Sequence, residues 1–277
     1  MRRRDVIGAL AAAAIGLRPR PGDASTRRPD RLGPLGLQLY TVRGLMRQDV
    51  ERTLAAVAGI GIREVEFAGY FDRRPAELQR TLMGLGLSAP AAHVPFEAID
   101  SSWSQVLDAA NGVGHRYVVI AWIDAGRRQT LDNWRRIAES YDRAAEQARA
   151  AGLGFAVHNH DYEFRPIAGR IPYDVVLEST DPRLVQCEMD LYWLRRGGQE
   201  ALAYFRRWPG RFPMVHVKDM SADGRMVDVG SGAIDWSTIF TRRREAGIRH
   251  YFIEHDEPAD PLASVRASYD YLSRLDV

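Results

Sequence analysis

Lysine is almost missing from this chain. Lysine and arginine together number 38, yet Lys218 is the only lysine among the 277 residues, so its retention invites a specific role. Cysteine is as scarce: Cys187 stands alone, which excludes an intramolecular disulfide. No apolar run reaches the roughly 20 residues that span a bilayer. The net charge is only +2, and it is unevenly placed. Residues 1–31 hold eight arginines and three aspartates, which leaves the rest of the chain at −3. A mildly acidic body lacks the basic footprint of a nucleic-acid binder. A dinucleotide fingerprint is missing as well, since Thr41-Val42-Arg43-Gly44 follows the first strand-like run.

What is present begins with the N-terminus. Met1-Arg2-Arg3-Arg4-Asp5-Val6-Ile7 precedes an apolar run from Gly8 to Leu17. A charged start followed by a short apolar stretch has the form of a secretory signal. The consecutive arginines resemble a twin-arginine signal, so export to the periplasm is expected, without stable membrane insertion afterwards. A retained anchor or an arginine-rich unstructured start is the alternative. Residues 18–31, rich in Pro, Arg and Asp, read as a linker, so residues 1–31 form signal and linker and the folded part spans 35–277.

From residue 35 onward the pattern alternates. Apolar strand-like runs are expected at 36–41, 64–68, 88–94, 116–122, 154–158, 185–190, 213–217 and 250–254. Between and after them, helical spacing covers 49–59, 75–86, 103–113, 131–151, 173–179, 199–207, 236–245 and 260–274. Strict βα alternation implies a parallel sheet, and eight units suit a single (β/α)8 barrel of about 250 residues. An open doubly wound sheet is the competing architecture.

Barrel enzymes place their chemistry at the C-terminal ends of the strands. Here those ends carry Glu66, His93, His158 with His160, Asp190, His216 and Glu254. Strand side chains alternate faces, so His158 with His160, Glu188 with Asp190, and His216 with Lys218 each share a parity. Any one such histidine is ordinarily a packed residue. Several histidines and acids at the strand ends of one barrel point to a shared polar site, because buried charge is costly unless paired or bound to metal. Imidazole and carboxylate donors suit Mn, Zn, Fe or Co.

The runs Leu37-Gln38-Leu39-Tyr40-Thr41-Val42-Arg43, Arg63-Glu64-Val65-Glu66-Phe67, His158-Asn159-His160-Asp161-Tyr162-Glu163-Phe164, Cys187-Glu188-Met189-Asp190-Leu191-Tyr192-Trp193, Val215-His216-Val217-Lys218-Asp219 and Phe252-Ile253-Glu254-His255 resemble the xylose-isomerase-like sugar phosphate isomerase/epimerase superfamily. The resemblance implies one divalent ion held by Asp190, His216, Glu254 and a strand-five residue. Many relatives have Glu where this chain has His158, and His160 or Glu163 could replace it. The resemblance also implies Glu66 and His93 as substrate-side residues, Glu66 being a candidate base. His160 and Lys218 complete the catalytic set, with Lys218 available to an enolate oxygen or to a rim ion pair with Asp219 or Asp223. Trp122 and Trp193 could stack on a sugar face. The loop Gly230-Ser231-Gly232-Ala233-Ile234-Asp235-Trp236 could cradle an anion or serve as a turn before a helix. The implied activity is isomerisation, epimerisation, dehydration or elimination on a small sugar, keto-sugar or polyol. A 3-keto-glycoside eliminase, an apurinic endonuclease and a non-catalytic sugar-binding barrel are the alternatives.

Overall fold

The computed structural model describes residues 31–277. The expected signal segment and linker, residues 1–30, lie outside them. Eight parallel strands close a barrel: β1 Leu35–Gln38, β2 Glu64–Ala68, β3 Ser88–Val94, β4 Tyr117–Ile120, β5 Gly154–His158, β6 Val185–Asp190, β7 Met214–Val217 and β8 His250–Ile253. Closure is direct: Leu37 of β1 lies opposite Val65 of β2 on one side and Ile253 of β8 on the other. No helix among the described residues is long and apolar enough to cross a membrane.

The helices that cover the barrel begin and end where local chemistry dictates. Asp49 accepts a hydrogen bond from the backbone N–H of Arg52 and so caps α1, Val50–Ile60. Pro75 opens α2, Pro75–Leu85, at the position where its missing N–H costs nothing. Then come α3, Trp103–Val113, and α4, Leu131–Ala150, which starts with Thr130 and Asn133 bonding each other's backbone. The shorter α5, Pro172–Ser179, α6, Ala201–Arg207, and α7, Trp236–Phe240, precede the closing α8, Pro261–Leu272.

Strand alternation divides each strand between two environments. Outward residues such as Val65, Phe67, Val118, Phe155, Val157, Val215 and Tyr251 join the main core beneath the helices. Inward residues form layers. A small apolar layer of Ala91, Val119, Ala156, Met214 and Phe252 plugs the middle. Gly36 belongs to that layer, because a Cβ there would collide with the Phe252 ring. Above the plug most inward positions are polar, among them Gln38, Glu66, His158, Glu188 and His216, and this layer holds the candidate site.

The element expectations hold in kind and shift at the ends. The first strand stops at Gln38 rather than Thr41, because Gln38 Oε1 accepts the Tyr40 N–H and turns Leu39–Val42 into a 3-10 helix. The segment expected as one helix over 236–245 is two, Trp236–Phe240 and Arg243–Ala246. Short helices at Arg43–Gln48 and Leu191–Arg196 and a small antiparallel ribbon, Asp219–Met220 with Met226–Val227, were not anticipated.

His115 gives the fold a pH dependence. It follows the left-handed Gly114 at the end of α3, donates Nδ1–H to the Ala89 carbonyl at 2.7 Å and lies against Phe67 and Tyr70. Its Nε2 is buried without a partner. Burial pushes the imidazole pKa down to about 4, against 6.5 in the unfolded chain. Above pH 6.5 the ring is neutral in both states and its contribution to stability is complete. As pH falls toward 4 the unfolded chain takes up the proton first, so stability drops by about 3 kcal/mol over that window. Urea melts at pH 7.0, 5.5 and 4.5 should show the gap between the native protein and His115→Asn closing as pH falls. A constant gap would remove His115 as the cause.

Candidate metal centre and cavity

A cavity of about 570 Å³ opens at the C-terminal end of the barrel. Four side chains from four strands meet at its floor: His158 ending β5, Asp190 ending β6, His216 on β7 and Glu254 just after β8. One donor atom from each lies within 4.8 Å of the others. Lys218 Nζ pairs with two of these atoms, Asp190 Oδ2 at 3.0 Å and Glu254 Oε2 at 2.8 Å, but directed hydrogen bonds take up none of the set. Both nitrogens of His158, Oδ2 of Asp190, Nδ1 of His216 and Oε2 of Glu254 are buried without a hydrogen-bond partner. His216 Nδ1 and Glu254 Oε2 are only 2.6 Å apart, so both face one point.

Each residue is aimed by its neighbours. Asp190 uses Oδ1 to cap the helix Leu191–Arg196, accepting the Trp193 N–H at 2.8 Å, which leaves Oδ2 for the cluster. Asn159 exchanges two hydrogen bonds with the Asp190 backbone and ties the ends of β5 and β6 together. His216 Nε2 lies 2.7 Å from Glu66 Oε2, which also accepts Gln38 Nε2–H at 2.7 Å. The same carboxylates favour the protonated ring, so a cation binding at Nδ1 would displace the proton there and leave the other on Nε2, facing Glu66. A carboxylate behind a ligating histidine is the usual outer partner at metal sites.

The fit to a divalent cation is good on charge as well. Glu66, Glu188, Asp190, Glu254 and Asp256 crowd the site, and among the described residues Lys218 is the lysine or arginine whose side chain pairs with theirs. Burial opposes the charge of His216, but the carboxylates of Glu188, Glu254 and Glu66 outweigh it and hold its pKa well above the ordinary value. Burial, with His216 and His93 beside it, pushes His158 well below, so this ring stays neutral and keeps one nitrogen lone pair. Such a donor set suits Zn, Mn, Fe or Co.

The remaining expected residues divide between wall and interior. His93, His160 and Lys218 line the cavity. Glu66 does not: it is fully buried behind His216 and His93, with its pKa raised to about 7 by burial and by the Glu188 carboxylate. Its expected substrate-side position is corrected, since the side chain reaches the cavity only through the histidines in front of it. His93 Nε2 contacts Glu188 Oε2 at 2.7 Å, which leaves Nδ1 as the nitrogen for the cavity. His160 stacks on Tyr162 and meets His158 edge-on. Glu163, the other strand-five candidate, is spent on the His160 backbone N–H at 2.9 Å and is not part of the four-donor cluster. Lys218 forms no rim pair with Asp219 or Asp223. Its ammonium is buried, 3.0 Å from Asp190, 2.8 Å from Glu254 and 2.8 Å from Asp256. Trp122 and Trp193 both line the cavity, and Trp122 stays 46% exposed.

The glycine loop binds an anion of its own. The carboxylate of Asp219 accepts backbone N–H groups of Met220, Gly230, Gly232 and Ile234 and the indole N–H of Trp236, at 2.8 to 3.3 Å. A Cβ on Gly232 would overlap that carboxylate. The loop is therefore a clasp for Asp219.

Reading the sequence for strand ends noted Glu188 only by its parity with Asp190 and passed over Gln38, Asn159 and Asp256. Glu188 and Asp256 carried a signal, since each lies two residues from an expected ligand and so shares its face. Gln38 and Asn159 carried none.

Fold and donor set define a (β/α)8 barrel with a polar metal-type centre at its catalytic end. A model of the xylose isomerase-like TIM barrel family matches residues 34–275, and the chain belongs to that family. An inosose dehydratase of Geobacillus kaustophilus (strain HTA426) is 21% identical over 272 residues, covering 81% of this chain and 87% of that protein. A sugar phosphate isomerase/epimerase structure from Parabacteroides distasonis has a TM-score of 0.78 at 25% identity, covering 87% of this chain and 97% of the other. The structure of the IolI protein with a bound zinc atom shares the fold, with a TM-score of 0.71 at 14% identity over 88% of this chain and 99% of that one.

Proposed function

We propose that this protein is a divalent-metal-dependent enzyme that removes a proton next to the carbonyl of a small polyhydroxylated ketone, with loss of the neighbouring hydroxyl as the favoured outcome. The observation that carries the reading is the convergence of four donor atoms, from His158, Asp190, His216 and Glu254, at the base of an open cavity that His158 and Glu254 line. The similarity to a dehydratase acting on an inosose supports the choice of dehydration. When bound, a divalent ion supplies Lewis-acid polarisation of a carbonyl oxygen.

The chain's own residues divide the proton work. His160, kept neutral by burial and by His158, faces the cavity and accepts the proton from the carbon. His93 is backed by the Glu66 and Glu188 carboxylates, which raise its pKa against the effect of burial, and it protonates the departing hydroxyl as water. The C–H electrons become the new C=C bond as the C–O bond breaks. Two groups with pKa values pushed apart suit one base and one acid. Lys218, held cationic by three carboxylates, presents positive charge to the oxygen on which charge develops. Trp193 and Trp122 offer flat apolar faces to a ring, with the Lys218 ammonium 5.7 Å from the Trp193 ring centre. Isomerisation or epimerisation uses the same base and differs only in where the proton returns.

The arginine-rich start supports an exported protein, working on an unphosphorylated substrate, as a further part of this proposal. The test is elemental analysis of the purified protein followed by assays with an inosose and with keto-sugars. About one Zn, Mn, Fe or Co per chain, together with ultraviolet absorbance from an unsaturated ketone, is expected. A protein that neither carries nor can be loaded with such an ion would overturn the mechanism.

A further inference from the structure

A second cavity, of about 290 Å³, lies at the opposite end of the barrel, and four arginines line it: Arg116, Arg149, Arg183 and Arg249. They come from separate parts of the chain. Arg116 immediately precedes β4, Arg149 is in the last turn of α4, Arg183 is in the turn before β6, and Arg249 immediately precedes β8. The floor is formed by His250, Gln186 and Tyr117, below the Phe252 plug. No acidic residue lines this cavity among the described residues.

The local acids are already engaged. Asp181 is held by Arg183 at 2.7 Å, and Glu64 by His250 at 2.7 Å. Arg249 bonds only a neutral phenol, donating to Tyr117 Oη at 2.9 Å across the barrel base. Arg116 and Arg149 are exposed, and Arg149 lies near enough to Asp181 to help lower its pKa. Asp181 offsets the charge of Arg183 and lies near Arg149, but no carboxylate lines the concavity itself, so four guanidinium groups share it with one acid beside them. The N-terminal end of such a barrel ordinarily serves stability alone, and a cationic ring with one acid beside it works against that.

We infer that this cavity is a binding site for a small molecule bearing a phosphate or diphosphate group, separate from the catalytic cavity. Guanidinium forks match phosphate oxygens two at a time, which a rounder ammonium does not. The volume suits a diphosphate-sized group, and the apolar walls of Leu153, Leu184 and Phe155 leave room for a short organic portion. The inference stands apart from the proposed reaction, since no residue is shared between the two cavities.

The test is titration calorimetry of the full chain with inorganic pyrophosphate, without added metal, at 50 and at 150 mM NaCl. One equivalent should bind at micromolar concentration, weakening but persisting at the higher salt. The double substitution Arg116→Gln/Arg149→Gln should weaken binding at least tenfold. Because both side chains are exposed, its melting temperature should equal that of the native protein. Arg116→Lys/Arg149→Lys should recover only part of the loss. Arg206→Gln, at an exposed arginine outside this cavity, should leave binding intact. No binding, undiminished binding to the Arg116→Gln/Arg149→Gln variant, loss on Arg206→Gln, or equal affinity for malonate would each overturn the proposal.

Discussion

Glu254→Gln should lose its divalent ion and, with it, turnover by a factor on the order of 10³ or more. Outer partners of metal ligands typically cost 10- to 100-fold when removed, so a direct donor is expected to cost more. Glutamine keeps the shape and one oxygen but removes the negative charge. Lys218 still has Asp190 and Asp256 within ion-pair distance, so the ammonium is not left buried alone. Asp190 gives a less clean test, because Asp190→Ala also removes the cap of the helix Leu191–Arg196, worth about 1 kcal/mol. The informative measurement pairs metal content with thermal stability: Glu254→Gln should melt within a few degrees of the metal-free native protein. If the variant keeps a full equivalent of metal and a tenth of the native rate, Glu254 is no ligand and the cluster needs another reading.

Asp219→Ala should be the most damaging single substitution for the fold. The carboxylate is fully buried and collects five N–H donors from a loop that reaches from Met220 to Trp236. Alanine leaves those donors without an acceptor, and each buried orphan costs about 1–3 kcal/mol where water cannot reach it. Partial rearrangement of the loop lowers the sum, so a loss of about 4 kcal/mol is expected, at the diagnostic end for point substitutions. For a chain of this size that is a fall in Tm of about 10 °C. Asp219→Asn should lose less, since it keeps one accepting oxygen while turning an amide toward the donors. Urea melts of the two variants check the ranking, and equal stability of Asp219→Ala and the native protein would contradict the clasp. Substrate affinity should change less than stability, because Asp219 does not line the catalytic cavity.

The two substitutions concern neighbouring features that a sequence reading separates poorly. Lys218 and Asp219 are adjacent, and an ion pair between them is the simplest reading of the pair. Strand geometry sends them to opposite sides: Lys218 turns into the barrel with His216, and Asp219 turns outward into the glycine loop. The parity rule that placed Lys218 correctly also separated it from Asp219. Glu66 shows the reverse. Its parity and strand were legible, but its depth was not, because depth depends on the height at which β2 meets its neighbours. The shift in register between Glu64 and Glu66 against β3 is a feature of the pairing, with no local trace in the sequence.

What the sequence determined by itself is therefore the local part: eight apolar runs of strand length, helix starts at Asp49, Pro75 and Thr130, and the face on which each strand carries its acids and histidines. These depend on periods of two and 3.6 residues and on capping groups a few positions away, all contained in short windows. The tertiary structure decided which of those inward residues meet. His216 stands between Glu66, 150 residues earlier, and Glu254 on the next strand, so one ring addresses the buried carboxylates with Nε2 and the cluster with Nδ1. Only barrel closure, which stacks inward side chains from distant strands at common heights, brings such atoms within a bond's length of one point.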